Sequence, residues 1–327
     1  MRKHRLAYFK ILSKLCSCFI LIVVSSCVSS SGIQKWNNTF FERSENNPII
    51  HPEMVGLEGI IGKNINGPSV IKVPNWVENP LGKYYMYFAH HHGKYIRMAY
   101  ADDPTGPWVV YKPGVLHLDK TSAVGHIASP DVIIDDETKA IRMYFHGPTP
   151  NKGGQKTFFS TSKDGLKFTA SDAILGPSYF RVFKFEGYHY ALVSGTFYRS
   201  LNGISPFEKG VEILPKIRHS AVAVAEDNLV IFYSQKGDAP ERILKTVISL
   251  KGTWNDWKIN IPEEVLKPER AYEGAELPIQ KSVNGYAKTR LHELRDPAIL
   301  IDDNEVYLYY SVAGESGIGV AKRIRKN

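Results

Sequence analysis

One strand pattern recurs five times along this 327-residue chain, beginning after residue 60. Each copy has an apolar strand after a polar, often proline-containing step, a hairpin into an aromatic-rich second strand, and then a third strand. The first strands begin at Asn66-Gly67-Pro68-Ser69-Val70, Ser129-Pro130-Asp131-Val132, Ser178-Tyr179-Phe180-Arg181-Val182, Arg218-His219-Ser220-Ala221-Val222 and Arg295-Asp296-Pro297-Ala298-Ile299. The second strands are Tyr84-Tyr85-Met86-Tyr87-Phe88, Ile141-Arg142-Met143-Tyr144-Phe145, Tyr188-His189-Tyr190-Ala191-Leu192, Leu229-Val230-Ile231-Phe232-Tyr233 and Val306-Tyr307-Leu308-Tyr309-Tyr310. A strand pattern that returns roughly every 40 to 75 residues predicts an all-β fold, a five-bladed β-propeller.

The last blade shows only three clear strands. Because a propeller closes its ring to avoid an exposed sheet edge, we expect the segment from Thr39 to Arg43 to supply the missing strand. No stretch keeps a period of 3.6 residues, so helix content should be low. No linker divides the chain, and residues 39–327 are therefore predicted to form a single propeller domain.

The N-terminal sequence is typical of an export signal. Residues 1–26 carry five basic side chains, and the apolar run from Phe19 to Val24 is too short to span a bilayer. Val24-Ser25-Ser26-Cys27 resembles a bacterial lipobox, in which Cys27 would be lipidated; a plain signal peptide cut nearby is the alternative. The prediction is a lipoprotein signal at 1–26, a tether at 27–38, and an exported protein with a lipid anchor in a bacterial, outer membrane.

Cysteine content and charge exclude several classes of function. The three cysteines are Cys16, Cys18 and Cys27, so the mature domain would have none for a disulfide, a thiolate nucleophile or a zinc-thiolate site. The formal charge of +8 falls to +3 once the five basic residues of the signal are removed. This balance gives no indication of a nucleic-acid partner. We expect a monomer that requires no cofactor, and the sequence leaves open a structural metal ion on the propeller axis.

Polar residues recur at two positions in the blades, the start of the first strand and the end of the second. A propeller gathers the strand starts around one axis, so most of these residues should face a common cleft, although any one of them alone is more often structural. In a strand, His90 and His92 would share one face, with Arg97 in the neighbouring strand. The other candidates are His126, Asp131, His146, Arg181, His219, Arg242, Arg295 and Asp296, together with Glu273 in the connection before the fifth blade.

The five-bladed pattern resembles the superfamily of glycoside hydrolase families 43 and 117. Ser129-Pro130-Asp131-Val132 is similar to the blade-two element whose Asp tunes the general acid, and Glu273-Gly274 is similar to the segment that carries the acid. The resemblance implies an Asp before Pro-Ser in blade one, as the base that activates water. Asn66-Gly67-Pro68-Ser69 stands there instead, and an amide cannot accept a proton at neutral pH. Inverting hydrolysis needs two carboxyl groups, so the sequence argues against a standard family-43 hydrolase.

The set HHHGKYIR, SPDV, YFHGP, RHSAV, GDAPERI and RDPA also resembles exported bacterial propellers that degrade acidic algal polysaccharides, with the oligosaccharide dehydratase of ulvan degradation as the nearest enzyme. Such an enzyme removes the C5 proton of a terminal uronate and expels the C4 hydroxyl as water. His146 and His219 are the candidate acid–base pair. Asn66, Arg97, Arg181 and Arg242 would hold the carboxylate or a sulfate.

Two other functions stay open at the level of sequence. A glycoside hydrolase would use Asp131 and Glu273 with a base from another blade, and would release a reducing sugar. A non-catalytic glycan-binding lipoprotein would bind an acidic oligosaccharide without turnover, because tyrosine-rich strands stack on sugars as readily as they fill cores.

Overall fold

Five antiparallel sheets form the part of the chain that the structure describes. A computed structural model describes Trp36 and residues 39–150, 153–204 and 206–324. The predicted signal peptide, nearly all of the tether and the lipidation residue Cys27 lie outside the described residues. The described part contains no α-helix, only short 3-10 turns, and no helix long and apolar enough to cross a membrane. The predicted all-β five-bladed propeller with low helix content is confirmed.

Each sheet is one blade, and the strands follow the chain outward from the axis. The first blade contains β2 (Asn66–Lys72), β3 (Tyr84–Ala89), β4 (Tyr95–Ala101) and β5 (Val109–His117). The second contains β6 (Ala128–Asp135), β7 (Ala140–Pro148), β8 (Gln155–Ser162), β9 (Thr169–Ala170) and β10 (Gly176–Pro177). The third contains β11 (Arg181–Phe185), β12 (Tyr188–Val193), β13 (Thr196–Ser200) and β14 (Glu208–Glu212). The fourth contains β15 (Ile217–Ala225), β16 (Asn228–Gln235), β17 (Ile243–Ser249) and β18 (Glu263–Leu266).

The fifth blade is closed by the N-terminal segment. Its own strands are β19 (Arg295–Asp302), β20 (Glu305–Ser311) and β21 (Ile318–Ile324), and β1 (Phe40–Arg43) adds the outermost strand. β1 runs antiparallel to β21, with Phe40 opposite Ile324 and Arg43 opposite Ala321. The predicted closing strand is thereby confirmed, and it satisfies the edge that β21 would otherwise expose.

Strand alternation explains how the blades pack against one another. In β3, Tyr84, Met86 and Phe88 pack against blade five. Tyr85 and Tyr87 point the other way, toward blade two. Successive strand residues face opposite sides of the sheet, so a strand buried on both faces is apolar throughout. This double burial is the reason that the second strands are so rich in aromatic residues.

Glu273 fastens the closing strand. Its carboxylate is fully buried; Oε1 accepts Arg43 Nε–H (2.8 Å) and the Tyr310 hydroxyl (3.1 Å), and Oε2 accepts the backbone N–H of Glu269 (2.8 Å) and Arg270 (3.1 Å). Glu273 therefore does not join the other predicted cleft residues, and the catalytic role implied by the resemblance does not fit this position. The reason is that the Tyr-Glu-Gly segment forms a 3-10 turn, Ala271–Glu273, which directs the carboxylate toward β1.

Removal of this carboxylate should weaken ring closure. Glu273→Ala leaves the Nε–H of the largely buried Arg43 and the Tyr310 hydroxyl without their acceptor, and we expect a loss of about 3–5 kcal/mol in the free energy of unfolding. Urea denaturation followed by tryptophan fluorescence measures it. Glu276→Gln is the matched control, because the pair of Glu276 with Arg290 is exposed and should contribute under about 1 kcal/mol. Equal stability of the two variants would contradict the role assigned to Glu273.

Candidate functional site

A shared backbone irregularity shapes the start of the inner strands. In β2, β6, β15 and β19 the pairing register shifts by one bulge near the first residue. Gly67, Ser129 and Asp296 lie in these bulges with φ of 61°, 49° and 44°, and Tyr179 just before β11 has φ of 73°. Left-handed backbone is costly for residues other than glycine, and such strain collects at functional sites. The bulges turn the side chains of these residues away from the regular strand pattern.

Aromatic and imidazole rings from the first four blades form a continuous arc at this end of the ring. His91 lies 6.4 Å from His126, and His126 lies 6.4 Å from His146, between ring centroids. Tyr179 continues the arc, 4.3 Å from His146 and 5.5 Å from His219. We call these five residues the histidine arc. Tyr286 covers one end, with its ring 5.4 Å from His91.

The arc ends in an imidazole–carboxylate pair. His219 Nδ1 lies 3.1 Å from Asp296 Oδ1, and Asp296 Oδ2 accepts the hydroxyl of Ser311 at 3.1 Å. Both side chains are less than 8% exposed. A carboxylate beside one ring nitrogen orients the imidazole and leaves the other nitrogen for chemistry. His219 and Asp296 therefore have the arrangement of an acid–base unit.

Buried arginines and glutamates form a network around Arg295, behind the arc. Arg295 Nε donates to Glu293 (2.7 Å) and lies 3.2 Å from Glu241, while its Nη1 donates to Glu315 at 3.1 Å. Arg218 Nη1 donates to Glu241 at 2.7 Å. These five side chains are at most 8% exposed. Because buried charges are tolerated only when they are paired and hydrogen-bonded, this network is a rigid support for Asp296, the next residue along β19.

Glu315 connects the network to the start of blade one. Its Oε2 accepts the side-chain amides of Asn64 (2.5 Å) and Asn66 (3.1 Å) and lies 3.7 Å from His91 Nδ1. Asn64 also accepts the backbone N–H of His91 at 2.7 Å. The predicted site residue Asn66 thus lies at the site, where its amide positions Glu315.

Burial separates the protonation behaviour of these groups. The pKa of Asp296 is raised, first by burial and then by the negative charge of Glu315. Burial would raise the pKa of Glu315 too, but His91, Asn64 and Arg295 together lower it below its ordinary value. The pKa values of His146 and His219 lie well below the ordinary value, first through burial and then through neighbouring positive and imidazole groups. Burial raises the pKa of Tyr179 to about 12. The site therefore offers neutral imidazoles, a protonated phenol and two carboxyls that differ in acidity.

His146 Nδ1 is a buried ring nitrogen without a protein partner at the site. It makes no hydrogen bond within the part of the chain that the structure describes. Buried polar atoms are nearly always bonded, and each exception needs an explanation. A ligand that donates and accepts hydrogen bonds would supply it.

Glu241 provides a test of the buried network. Burial raises its pKa to about 7 from 4.5, although Arg218 and Arg295 act in the opposite direction. The folded protein therefore holds a proton between about pH 4.5 and 7 that the unfolded chain releases, and this contribution to stability is lost as the pH rises through that window. Glu241→Gln should remove up to about 1.4 kcal/mol per pH unit of that slope. Urea unfolding at several pH values, with the exposed Glu208→Gln as control, measures it; parallel profiles for wild type and Glu241→Gln would be the contrary result.

Two predicted ligand-binding arginines donate their hydrogen bonds to backbone carbonyls. Arg97 is buried and donates to the carbonyls of Ile61 (2.8 Å), Asn64 (2.7 Å) and Ala89; burial lowers its pKa to about 9. The Arg181 guanidinium donates to the carbonyls of Ser220 (2.8 Å) and Phe180 (3.0 Å), across the start of blades three and four. The prediction that these arginines hold a substrate anion does not fit, since their donors are used to fix the strand starts.

Asp131 is one residue past the bulge of β6 and lies in the axial channel. Its Oδ2 accepts the N–H of Val182 at 2.7 Å, which ties blade two to blade three, and burial raises its pKa. With Arg181 it lines a channel of about 180 Å³ that is otherwise walled mainly by inner-strand valines, isoleucines, alanines and prolines. Asp131 therefore lies in the axial channel, whereas His146 and His219 lie in the histidine arc. The structure does not bring these three predicted catalytic residues together.

Two further predictions of position are corrected. Arg242 directly precedes β17 and is partly exposed, and its guanidinium lies beside Asp238 (3.8 Å) and beside Glu264 of the outer strand β18 (3.3 Å). His90 and His92 do not face the site together as predicted. The strand β3 ends at Ala89, so the alternation of side chains does not extend to these residues. His91 and His92 make the ring contacts instead, and His90 Nδ1 accepts the N–H of His92.

The structure brings five of the other predicted site residues into one region. These are His126, His146, His219, Arg295 and Asp296. Residues that sequence reasoning missed are Asn64, His91, Tyr179, Arg218, Glu241, Tyr286, Glu293 and Glu315. The repeated blade position was the available signal for Tyr179, since it lies two residues before Arg181 as Asp296 lies two residues before Ala298, and both have a positive φ. Glu315 lies in the hairpin between β20 and β21, where the sequence gives no such signal.

A metal site is not evident. Across residues 39–150, 153–204 and 206–324, no group of three or more His, Cys, Asp or Glu side chains is arranged to hold a metal ion.

Comparison with solved structures identifies the fold class. A candidate glycoside hydrolase from Parabacteroides distasonis aligns with a TM-score of 0.63 at 12% identity, covering 89% of this chain and 98% of that one. A family-43 β-xylosidase/α-arabinofuranosidase from a compost metagenome aligns with a TM-score of 0.57 at 11% identity, covering 88% and 96%. The chain therefore has the five-bladed propeller fold seen in family-43 glycoside hydrolases.

A viral protein defines the family. The chain is 35% identical over 341 aligned residues to the uncharacterized protein R118 of Acanthamoeba polyphaga mimivirus, covering 93% of this chain and 94% of that protein. The chain belongs to the same family as R118. No family model matches it.

Proposed function

We propose that this chain is a carbohydrate-active enzyme that hydrolyses glycosidic bonds. Its active site lies where the inner strands begin. The observation that carries the proposal is the buried unit of His146, Tyr179, His219 and Asp296 at the strand starts, in which His146 Nδ1 has no protein partner. The similarity of the fold to family-43 hydrolases supports the choice of a glycan as substrate. The catalytic groups differ from the pair expected by resemblance, because Glu273 is structural and Asn66 replaces the base.

Each group of the unit receives a role from its protonation state. Asp296, with its raised pKa, is the general acid and gives its proton to the leaving glycosidic oxygen as the C1–O bond breaks. Neutral His146 accepts the proton of the water whose oxygen forms the new bond to C1. Tyr179 stays protonated and donates a hydrogen bond to a sugar hydroxyl, and His219 holds Asp296 in place.

Elimination of water from a terminal uronate is the second candidate reaction, an ulvan dehydratase-like activity. The neutral His219 would take the C5 proton, and the C4 hydroxyl would leave as water after protonation by Asp296. The specific observation in its favour is that imidazoles outnumber carboxyls in the arc. Against it, Arg97, Arg181 and Arg242 are all occupied by other protein groups and do not bind the uronate carboxylate as the sequence-based hypothesis required.

One assay separates the two reactions from each other and from simple binding. Residues 28–327 are incubated with neutral and acidic oligosaccharides, and the products are followed by mass spectrometry and ultraviolet absorbance. Hydrolysis gives shorter chains that gain one water per cleavage, as the proposal predicts. Loss of one water with a rise in absorbance establishes elimination instead. Binding without turnover of any tested glycan by wild-type protein would contradict both enzymatic proposals.

A further inference from the structure

A second cavity is lined by residues that are direct neighbours of site residues in the chain. It is a groove of about 510 Å³, and it lies between the segment before β2 and the connection that precedes β19. Charged groups that line it are His51, Glu53, Lys63 and Arg290. We call it the cationic groove, because it carries two permanent positive charges against one carboxylate.

Consecutive residues connect the groove to the site. Lys63 lines the groove, while its neighbour Asn64 bonds Glu315 and the N–H of His91 at the site. Ser316 lines the groove, while Glu315 belongs to the site; Ala287 lines the groove, while Tyr286 covers His91. The groove and the site therefore share three chain segments, and each segment contributes neighbouring residues to both.

Lys63 is the cation in the groove that is free to bind a ligand. It is exposed, and its ammonium group has no hydrogen-bond or ion-pair partner within the residues that the structure describes. Arg290 is partly offset, since its Nη2 donates to the carbonyl of Ala271 (2.6 Å) and to Glu276 (3.2 Å). Arg97 fixes the position of Lys63, because it donates to the carbonyls of Ile61 and Asn64 on either side.

We propose that the cationic groove binds an anionic substituent, a carboxylate or a sulfate, on the sugar next to the one that occupies the histidine arc. This inference rests on the proposed function and names its substrate class, an acidic oligosaccharide. Lys63 supplies the charge-assisted hydrogen bond and Arg290 the second positive charge. Removal of one such contact should raise KM about tenfold without a matching change in kcat, because the groove lies away from the reacting bond.

Nuclear magnetic resonance of lysine residues tests the groove without any need for turnover. Lysines are ¹³C-methylated, and the Lys63 signal is assigned by its absence in Lys63→Gln. Inorganic sulfate, glucuronate and neutral glucose are then titrated in turn. We expect a saturable millimolar shift of the Lys63 signal with at least one anion and none with glucose, and the stronger anion identifies the substituent. Lys120 is the matched control, since it is 74% exposed and lies 3.9 Å from Asp119 only.

No response of Lys63 to either anion, or the same unsaturated drift at Lys63 and Lys120, would overturn the groove as an anion site. That outcome leaves the assay of glycan turnover unaffected, so failure of the groove and failure of the enzymatic proposal are distinguishable. Where turnover is found, Lys63→Gln should raise KM for acidic glycans, and Lys120→Gln should not.

Discussion

Replacement of Asp296 by Asn is expected to lower kcat/KM by about 10²–10⁴-fold on the glycan that the protein turns over, because the amide cannot give a proton to the leaving oxygen. Asn is the suitable replacement, since it tolerates the left-handed backbone at this position, where φ is 44°. The hydroxyl of Ser311 also keeps a partner, the amide oxygen. Steady-state kinetics with an intact fold, verified by circular dichroism, gives the measurement.

A matched variant on the same strand distinguishes catalysis from stability. Asp302 lies at the other end of β19 and bonds Lys72 (2.6 Å) and the Tyr84 hydroxyl at the surface. Asp302→Asn should leave kcat/KM unchanged within about twofold, as expected for a substitution remote from the reacting bond. If Asp296→Asn retained wild-type turnover, or if both variants lost it equally, Asp296 would not be the general acid.

Replacement of Arg295 by Met is expected to reduce the free energy of unfolding by about 3–5 kcal/mol. The guanidinium is 1% exposed and contacts three carboxylates, those of Glu241, Glu293 and Glu315. Without it, Glu241 keeps the charge of Arg218 beside it, and Glu315 keeps His91 and the amides of Asn64 and Asn66, or these carboxylates take up protons. Urea denaturation at pH 7 measures the loss, which should diminish at pH 5, where the carboxyls protonate at lower cost.

The control for this prediction is an arginine of the same chemistry in water. Arg290 is 51% exposed and pairs with a Glu276 that is 47% exposed, so Arg290→Met should cost less than about 1 kcal/mol. A similar, small loss in both variants would show that the network around Arg295 adds nothing beyond a surface ion pair. The account would then lose its explanation for how Asp296 is held in place.

The fold could be predicted from the sequence because propeller blades repeat. Five first strands and five aromatic second strands fixed the blade count, and the shortage of one strand in the last blade pointed to residues 39–43 as its closing strand. These conclusions depend on periodicity and on the cost of an exposed edge, and both can be read from a single sequence. The same repeat predicted that residues at the start of the first strands, such as His219 and Asp296, lie at the site.

Side-chain direction could not be predicted in the same way. The bulges at the strand starts shift the alternation by one residue, so that Asp131 faces the channel while Asp296 faces His219. Because β3 ends at Ala89, His91 lies at the site in place of the predicted His90. Glu273 and Arg97 were misjudged because their partners, Arg43 and the carbonyls near Asn64, are distant in sequence or belong to the backbone. A sequence shows which polar side chains are present. It does not show which of them already hydrogen-bond other parts of the protein, as Glu273 and Arg97 do.

The most direct test of the central proposal is mass spectrometry of the products that wild-type protein and Asp296→Asn form from a panel of neutral and acidic oligosaccharides. The proposal predicts that wild-type protein shortens at least one glycan with the gain of one water per cleavage, and that Asp296→Asn leaves the same glycan intact. Unchanged masses across the panel with wild-type protein, or equal cleavage by the variant, would contradict the assignment of this site as the active centre of a carbohydrate-active enzyme.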